Sequence, residues 1–260
     1  MMTGISAASL YPLETEKALV RLSGLGYDLF EIFINAFHEL SPEYCGVLNS
    51  LQKEHGFRIR SVHPFTSALE SMLLFESYDR RTEEGFAFYK MYMEAAQRIG
   101  AEILVLHGQR IGSGSLTDEA YYERYHRLYK MGREMGITVA QENVRMFRSS
   151  KTEFIRGMRQ YLHDECAFVL DVKQAHMSGL LPTEMLETMG ERICHVHLSD
   201  HNAEKTCLLP GDGDYDFSVL REKLQEMNYS GAVITEVYRN AIESDEALIR
   251  AQAYVRGLFQ

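Results

Sequence analysis

The chain has 260 residues, 45% of them hydrophobic and 25% charged, the make-up of a globular protein with enough length to bury a sizeable core. Its formal net charge of −10 opposes a general affinity for nucleic acid or an anionic membrane surface. Four scattered cysteines (Cys45, Cys166, Cys194 and Cys207) form no CxxC pair and suit a reducing cytoplasm, and the N-terminal stretch reads as neither a signal peptide nor a membrane span.

Taken in chain order, an apolar run over 4–9 predicts a first strand, and a helix over 13–25 follows Pro12. The run 29–34 leads into a helix over 42–55, with Ser41 as N-cap and Gly56 as its stop. Strand and helix then alternate as 58–63 with 82–99, 103–107 with 118–135, and 138–142 with 152–162. Strands over 167–171, 193–198 and 232–236 are each followed by a helix, over 182–189, 217–227 and 241–258. Gly26, Gly56, Gly100 and Gly136 stand between a helix and the next strand, where a residue tolerant of positive φ is wanted. The strands are continuous apolar runs, as expected when both faces are covered. Eight such pairs predict an α/β fold, a single (β/α)8 barrel over residues 1–260. An open nucleotide-binding sheet is disfavoured, because no GxGxxG follows the first strand.

Barrels of this kind carry their chemistry at the C-terminal ends of the strands. Those ends hold His63, His107, Glu142 with Asn143, Asp171, His197 with Asp200, and Glu236. Barrel interiors are otherwise aliphatic, and isolated buried charges are costly, so a divalent cation is the simplest reason to gather several carboxylates and an imidazole. In HVHLSDH, strand alternation puts His195, His197 and Ser199 on one side. His197 lies at the rim, level with the carboxylates. His195 sits deeper and reads as structural, and His201 falls in the following loop. His38, His55, His126 and His163 read as solvated or packing residues. Arg110, Arg145, Arg148 and Lys173 follow strands 4 to 6 and, in so acidic a chain, point to a substrate carboxylate or phosphate. Phe65, Phe147 and Tyr238 are candidates to cover a sugar face, and the stretch 112–115 reads as a mobile, partial lid.

The ordered segments QEN, FVLDVKQA, HVHLSD, LPGDGDYDF and ITEV resemble the xylose-isomerase-like TIM-barrel superfamily of sugar isomerases, epimerases and apurinic endonucleases. The resemblance implies one divalent metal (Mn²⁺, Mg²⁺, Co²⁺ or Zn²⁺) held by Glu142, Asp171, His197 and Glu236. It also implies that Glu142 and Glu236 transfer a proton beside a sugar carbonyl through an enediolate. His63, His107, Arg145, Lys173, Gln174, His176 and Asp200 are the candidate substrate contacts. The epimerases commonly place a histidine where Gln174 stands, and His176 is the nearest substitute. The endonuclease branch uses three zinc ions. His63 and His107 match two of its ligands, but Gln174 and the segment Lys205-Thr206-Cys207 lack others, which disfavours phosphodiester hydrolysis. The expected partner is therefore a carbohydrate, an anionic one among the candidates, and neither nucleic acid nor membrane. Long exposed barrel helices are compatible with a homodimer. The competing readings are a zinc-dependent phosphodiesterase and a barrel that binds a sugar without turning it over.

Overall fold

A computed structural model describes residues 1–114 and 116–260, Ala68 by its backbone alone. Eight parallel strands close into a barrel in sequence order: β1 (Met2–Ser6), β2 (Leu29–Ile34), β3 (Arg58–Pro64), β4 (Ile103–Leu106), β5 (Thr138–Glu142), β6 (Phe168–Asp171), β7 (Ile193–Leu198) and β8 (Ala232–Thr235). The ring shuts where β1 pairs with β8, from Met2 opposite Ala232 to Ile5 opposite Thr235. Gly4 lets β1 pack closely against the start of β2, since a Cβ there would run into the backbone carbonyl of Leu29. The predicted (β/α)8 barrel is thus the observed fold. The first strand differs in position. It starts two residues earlier than the run 4–9 and stops at Ser6, because Ala7–Leu10 winds into a 3-10 turn.

The outer layer holds α1 (Thr15–Gly24), α2 (Pro42–His55), α3 (Glu70–Leu74), α4 (Asp79–Ile99), α5 (Asp118–Glu134), α6 (Thr152–Leu162), α7 (Val172–Met177), α8 (Pro182–Met189), α9 (Phe217–Glu226) and α10 (Asp245–Phe259). Local chemistry sets several of these ends. Ser41 accepts the Tyr44 N–H at 3.2 Å, Pro42 opens α2, and Gly56 at φ 71° closes it. Thr117 and Ser244 cap α5 and α10 in the same way. The last helix starts at Asp245 rather than 241 because Arg239–Ala241 forms a 3-10 turn and Ser244 supplies the cap. The short helices α3 and α7 were not expected; five or six residues are too few to show a period. No helix among the described residues is long and apolar enough to cross a membrane.

Two irregularities affect the barrel interior. Between β2 and β3 the register slips at Phe30/Glu31, leaving Arg60 as the extra residue, and between β6 and β7 it slips at Phe168/Val169, leaving Cys194. Bulges of this kind re-aim side chains. Beside them the interior-facing positions hold Glu31 and His195, both fully buried.

Helix α3 anchors the outer end of β4. The Glu70 carboxyl is wholly buried, accepts the Tyr89 hydroxyl at 2.6 Å and accepts the backbone N–H of Gly108. Burial pushes this carboxyl up to about 8 from its usual 4.5, outweighing both hydrogen bonds. The native protein therefore keeps a proton that the unfolded chain loses. Its contribution to stability is complete below about pH 4.5 and is lost as pH rises through about 8. Glu70→Gln, which keeps the shape without the titration, is expected to flatten the decline between those values. The slope removed is at most about 1.4 kcal/mol per pH unit. Urea unfolding of both proteins across this range is the measurement, and parallel curves would count against the assignment.

Candidate active site

Strand tilt explains how residues far apart in register come to one place. In a barrel of shear 8 the rows of paired residues climb around the axis, so groups at equal height step forward from strand to strand. Glu142 pairs with Val169, and Asp171 lies two residues beyond it. Asp171 pairs with His197, which pairs with Ile234, and Glu236 again lies two residues beyond. The stagger brings ligand-type atoms of Glu142, Asp171, His197 and Glu236 within 4.8 Å of one another. The group is almost closed to solvent, with only the Glu236 side chain retaining 15% exposure.

Each member is held from the backbone outward. Asp171 ends β6 and caps α7, its Oδ1 accepting the Gln174 N–H at 2.8 Å. That leaves Oδ2 to face Lys173 Nζ at 3.7 Å. Asn143 bridges the strands by pairing with both sides of the Asp171 backbone: its Nδ2 donates to Asp171 O at 3.0 Å and its Oδ1 accepts the Asp171 N–H at 2.7 Å. The His197 ring spans the barrel. Its Nδ1 is hydrogen-bonded to Glu142 Oε1 at 2.9 Å and lies 2.9 Å from Glu236 Oε2, off the hydrogen-bonding direction. Its Nε2 donates to Glu31 Oε2 at 3.0 Å.

Charge in this space is not balanced by neighbouring cations. Burial, reinforced by repulsion from Glu142 and Glu236, pushes the Asp171 carboxyl up to about 7 despite Lys173. Burial acts in the same direction on Glu142, but the His107 and His197 rings beside its two oxygens hold it well below the usual carboxylate range. Burial disfavours a charged His197, yet Glu31 and Glu236 hold that ring well above an ordinary imidazole. Glu142 Oε2 and Glu236 Oε2 are buried without a hydrogen-bond partner. Three carboxylates and one imidazole converging on one point, two of the carboxylates with an unpartnered oxygen, form a donor set that fits a divalent cation.

A second group overlaps the first. His63 Nδ1 donates to Pro64 O at 3.2 Å, which aims Nε2 at His107 Nε2, 2.9 Å away. His107 Nε2 is in turn 2.9 Å from Glu142 Oε2, so the two histidines and Glu142 form their own three-donor cluster. Lys173 is buried beside Asp171, with its ammonium 4.7 Å from the Tyr238 ring centre. Phe147 flanks His107 at 5.7 Å, and Arg145 is exposed at the rim.

Other expected contacts are engaged elsewhere. Both carboxylate oxygens of Asp200 are filled by the backbone N–H groups of His201, Gly211, Gly213 and Tyr215, so Asp200 fastens the loop after β7 rather than meeting a substrate. Gln174 Oε1 accepts the Arg145 N–H at 2.9 Å. His176 stacks on His201 with ring centres 3.6 Å apart, which directs it to the loop after β7. Arg148 is tied to Asp118, Gln109 and the Leu116 carbonyl, and so leaves the cluster of cations expected for substrate. Phe65 packs edge-on against Phe37. Of the expected lid, Ser115 lies outside the described residues; the turn before it is pinned by Ser113 N–H to Arg110 O and by Gln109 Nε2 to Ser113 O. A cavity of about 710 Å³ opens beside the mouth between the loops after β7 and β8, lined by Lys205, Cys207, Tyr238 and Arg250 among others.

Glu31 is the component that the strand-end reading missed. It lies mid-strand in Leu-Phe-Glu-Ile-Phe-Ile, one layer below the rim. A lone charge inside a continuous apolar run is the signal that marks it.

Comparison with known proteins agrees with this architecture. An uncharacterized protein from Methanocaldococcus jannaschii is 24% identical over 95% of this chain and 88% of its own length. Inosose dehydratase from Clostridium perfringens is 23% identical over 84% of each chain. The crystal structure of a D-psicose 3-epimerase in the presence of D-fructose superimposes with a TM-score of 0.81, covering 100% of this chain and 99% of the other at 16% identity, a likeness of fold. The family model described as xylose isomerase-like TIM barrel matches residues 19–257, and with the closed eight-stranded ring and its rim of carboxylates already in view, the chain belongs to that family.

Proposed function

We propose that this protein is a metal-dependent isomerase or epimerase of a sugar, sugar phosphate or sugar acid. The convergence of Glu142, Asp171, His197 and Glu236 carries the reading. A divalent cation held by these four would polarise a substrate carbonyl and oppose the negative charge that develops on its oxygen.

The chain's own residues account for the proton transfers. Glu142 comes from β5 and Glu236 follows β8, so carboxylates reach the centre from different sides of the mouth. One removes a proton from the carbon next to the carbonyl, and the other returns a proton from its side of the flat enediolate. Asn143 holds the Asp171 backbone. Lys173 and the rim residue Arg145 supply positive charge for an anionic group on the substrate. His63 and His107 line the side near Glu142 and suit sugar hydroxyls. The relatives named as a sugar epimerase and an inosose dehydratase both act on polyhydroxylated carbonyl compounds, which supports this substrate class.

The second three-donor cluster favours one alternative, a two-metal hydrolase, in which His63, His107 and Glu142 would hold a further cation. Against it stand the net charge of −10 and the residues Gln174 and Lys205-Thr206-Cys207, which stand where the endonuclease branch places further ligands.

Two measurements test these readings. With Mn²⁺ bound, solvent deuterium is expected to wash into a ketose, ketose phosphate or keto acid of the right class. Glu142→Gln and Glu236→Gln should each slow that exchange by about 100-fold or more. Absence of exchange across all three classes in the metal-loaded protein would sink the isomerase reading. Metal analysis after dialysis against Mn²⁺ or Zn²⁺ should find one ion per chain, lost in Asp171→Asn and retained in His63→Ala. Two ions per chain, one of them lost in His63→Ala, together with phosphodiester cleavage, would establish the alternative.

A further inference from the structure

An imidazole that binds a cation has one nitrogen for the metal, and the partner of the other nitrogen decides which one that is. In His197 the two sides differ sharply. Nδ1 faces Glu142 Oε1 and Glu236 Oε2, both at 2.9 Å, whereas Nε2 faces Glu31 Oε2 at 3.0 Å. We propose that Glu31 is a positioning residue for the cation centre: from β2 it accepts the Nε2 proton of His197, fixing the ring's tautomer and angle so that Nδ1 presents its lone pair to the metal. This rests on the metal-dependent reading above and extends it to the far side of the barrel.

Several observations support this role. Glu31 has no exposure, and a carboxylate in a barrel interior requires compensation that an apolar residue would not. It is also aimed by its neighbours. The Ser61 hydroxyl donates to the same Oε2 at 2.8 Å, and His195 Nε2 lies 3.2 Å from it. Ser61 is the register partner of Glu31 on β3, and His195 sits one layer below His197 on β7. The slip at Phe30/Glu31 falls where the carboxylate turns toward the ring. Three groups therefore meet one oxygen, while Oε1 has no hydrogen-bond partner. This focusing suits an acceptor that must hold one imidazole at one angle. Ligand-type atoms of Glu31, His195 and His197 also lie within 4.8 Å of one another, but a cation among them would need His197 to bind metal through both nitrogens at once. Separations of 3.0 and 3.2 Å are those of hydrogen bonds.

The test combines a variant with a measurement on the unaltered protein. Glu31→Gln keeps the size of the side chain and removes its purely accepting character. Mn²⁺ affinity, read from the electron paramagnetic resonance of the free ion, is expected to fall by about 10- to 100-fold. Wild-type protein labelled with ¹⁵N-histidine and loaded with Zn²⁺ should show His197 protonated at Nε2 and bare at Nδ1, a readout that a merely structural role would not set. If Glu31→Gln is folded by circular dichroism and binds Mn²⁺ as tightly as wild type, the proposal fails while the metal reading stands. A Zn²⁺-loaded wild type with His197 protonated at Nδ1 overturns it equally, whether or not the variant folds. If wild type binds neither ion, the metal reading itself fails and this proposal falls with it.

Discussion

His197 sits where carboxylates from three other strands have to share one ring. Glu31, Glu142 and Glu236 approach it from β2, β5 and the end of β8, and Asp171 stands beside it on β6. Charges buried this deeply need partners at hydrogen-bond range, and the barrel supplies several while leaving Glu142 Oε2 and Glu236 Oε2 without one. Much of the polar structure near the axis follows from that requirement. Ser61 and His195 satisfy Glu31, Asn143 fixes the backbone of Asp171, and Lys173 offsets the excess of negative charge.

The mouth separates into side chains committed to holding the loops and side chains that lie against the carboxylate cluster. Asp200 gathers four backbone amides, Arg148 ties its loop to α5, and His176 and His201 stack on each other. These residues stiffen the loops around the centre. His63, His107 and Lys173 lie against the centre itself, His63 and Lys173 buried, and Arg145 is exposed at the rim. A rigid rim with a few uncommitted polar groups is how a shared barrel supports different substrates, because specificity can change there without disturbing the ligands.

The barrel was legible because its evidence is local and repeated. Apolar runs, capping residues and glycines at helix ends recur with each unit, and the helices at Pro42–His55, Thr152–Leu162 and Pro182–Met189 match their expected ranges to the residue. The departures arose where local pattern is weakest. The 3-10 turn at Ala7–Leu10 keeps an apolar composition while leaving the sheet, and α3 and α7 are too short to carry a helical period. The four-residue donor set was also legible, since polar groups at strand ends mark a barrel's working face.

Composition and order along the chain therefore determined the eight-fold architecture and the residues at its rim, because both depend on neighbours in sequence. Only the tertiary structure decided which polar groups meet. Asp200 and Gln174 have the right chemistry for a substrate, yet backbone amides reach them first. Glu31 and His197 lie 166 positions apart, and strand tilt, barrel closure and a slipped register bring them to 3.0 Å. A contact of that kind arises from how the sheet closes, and no local pattern encodes it.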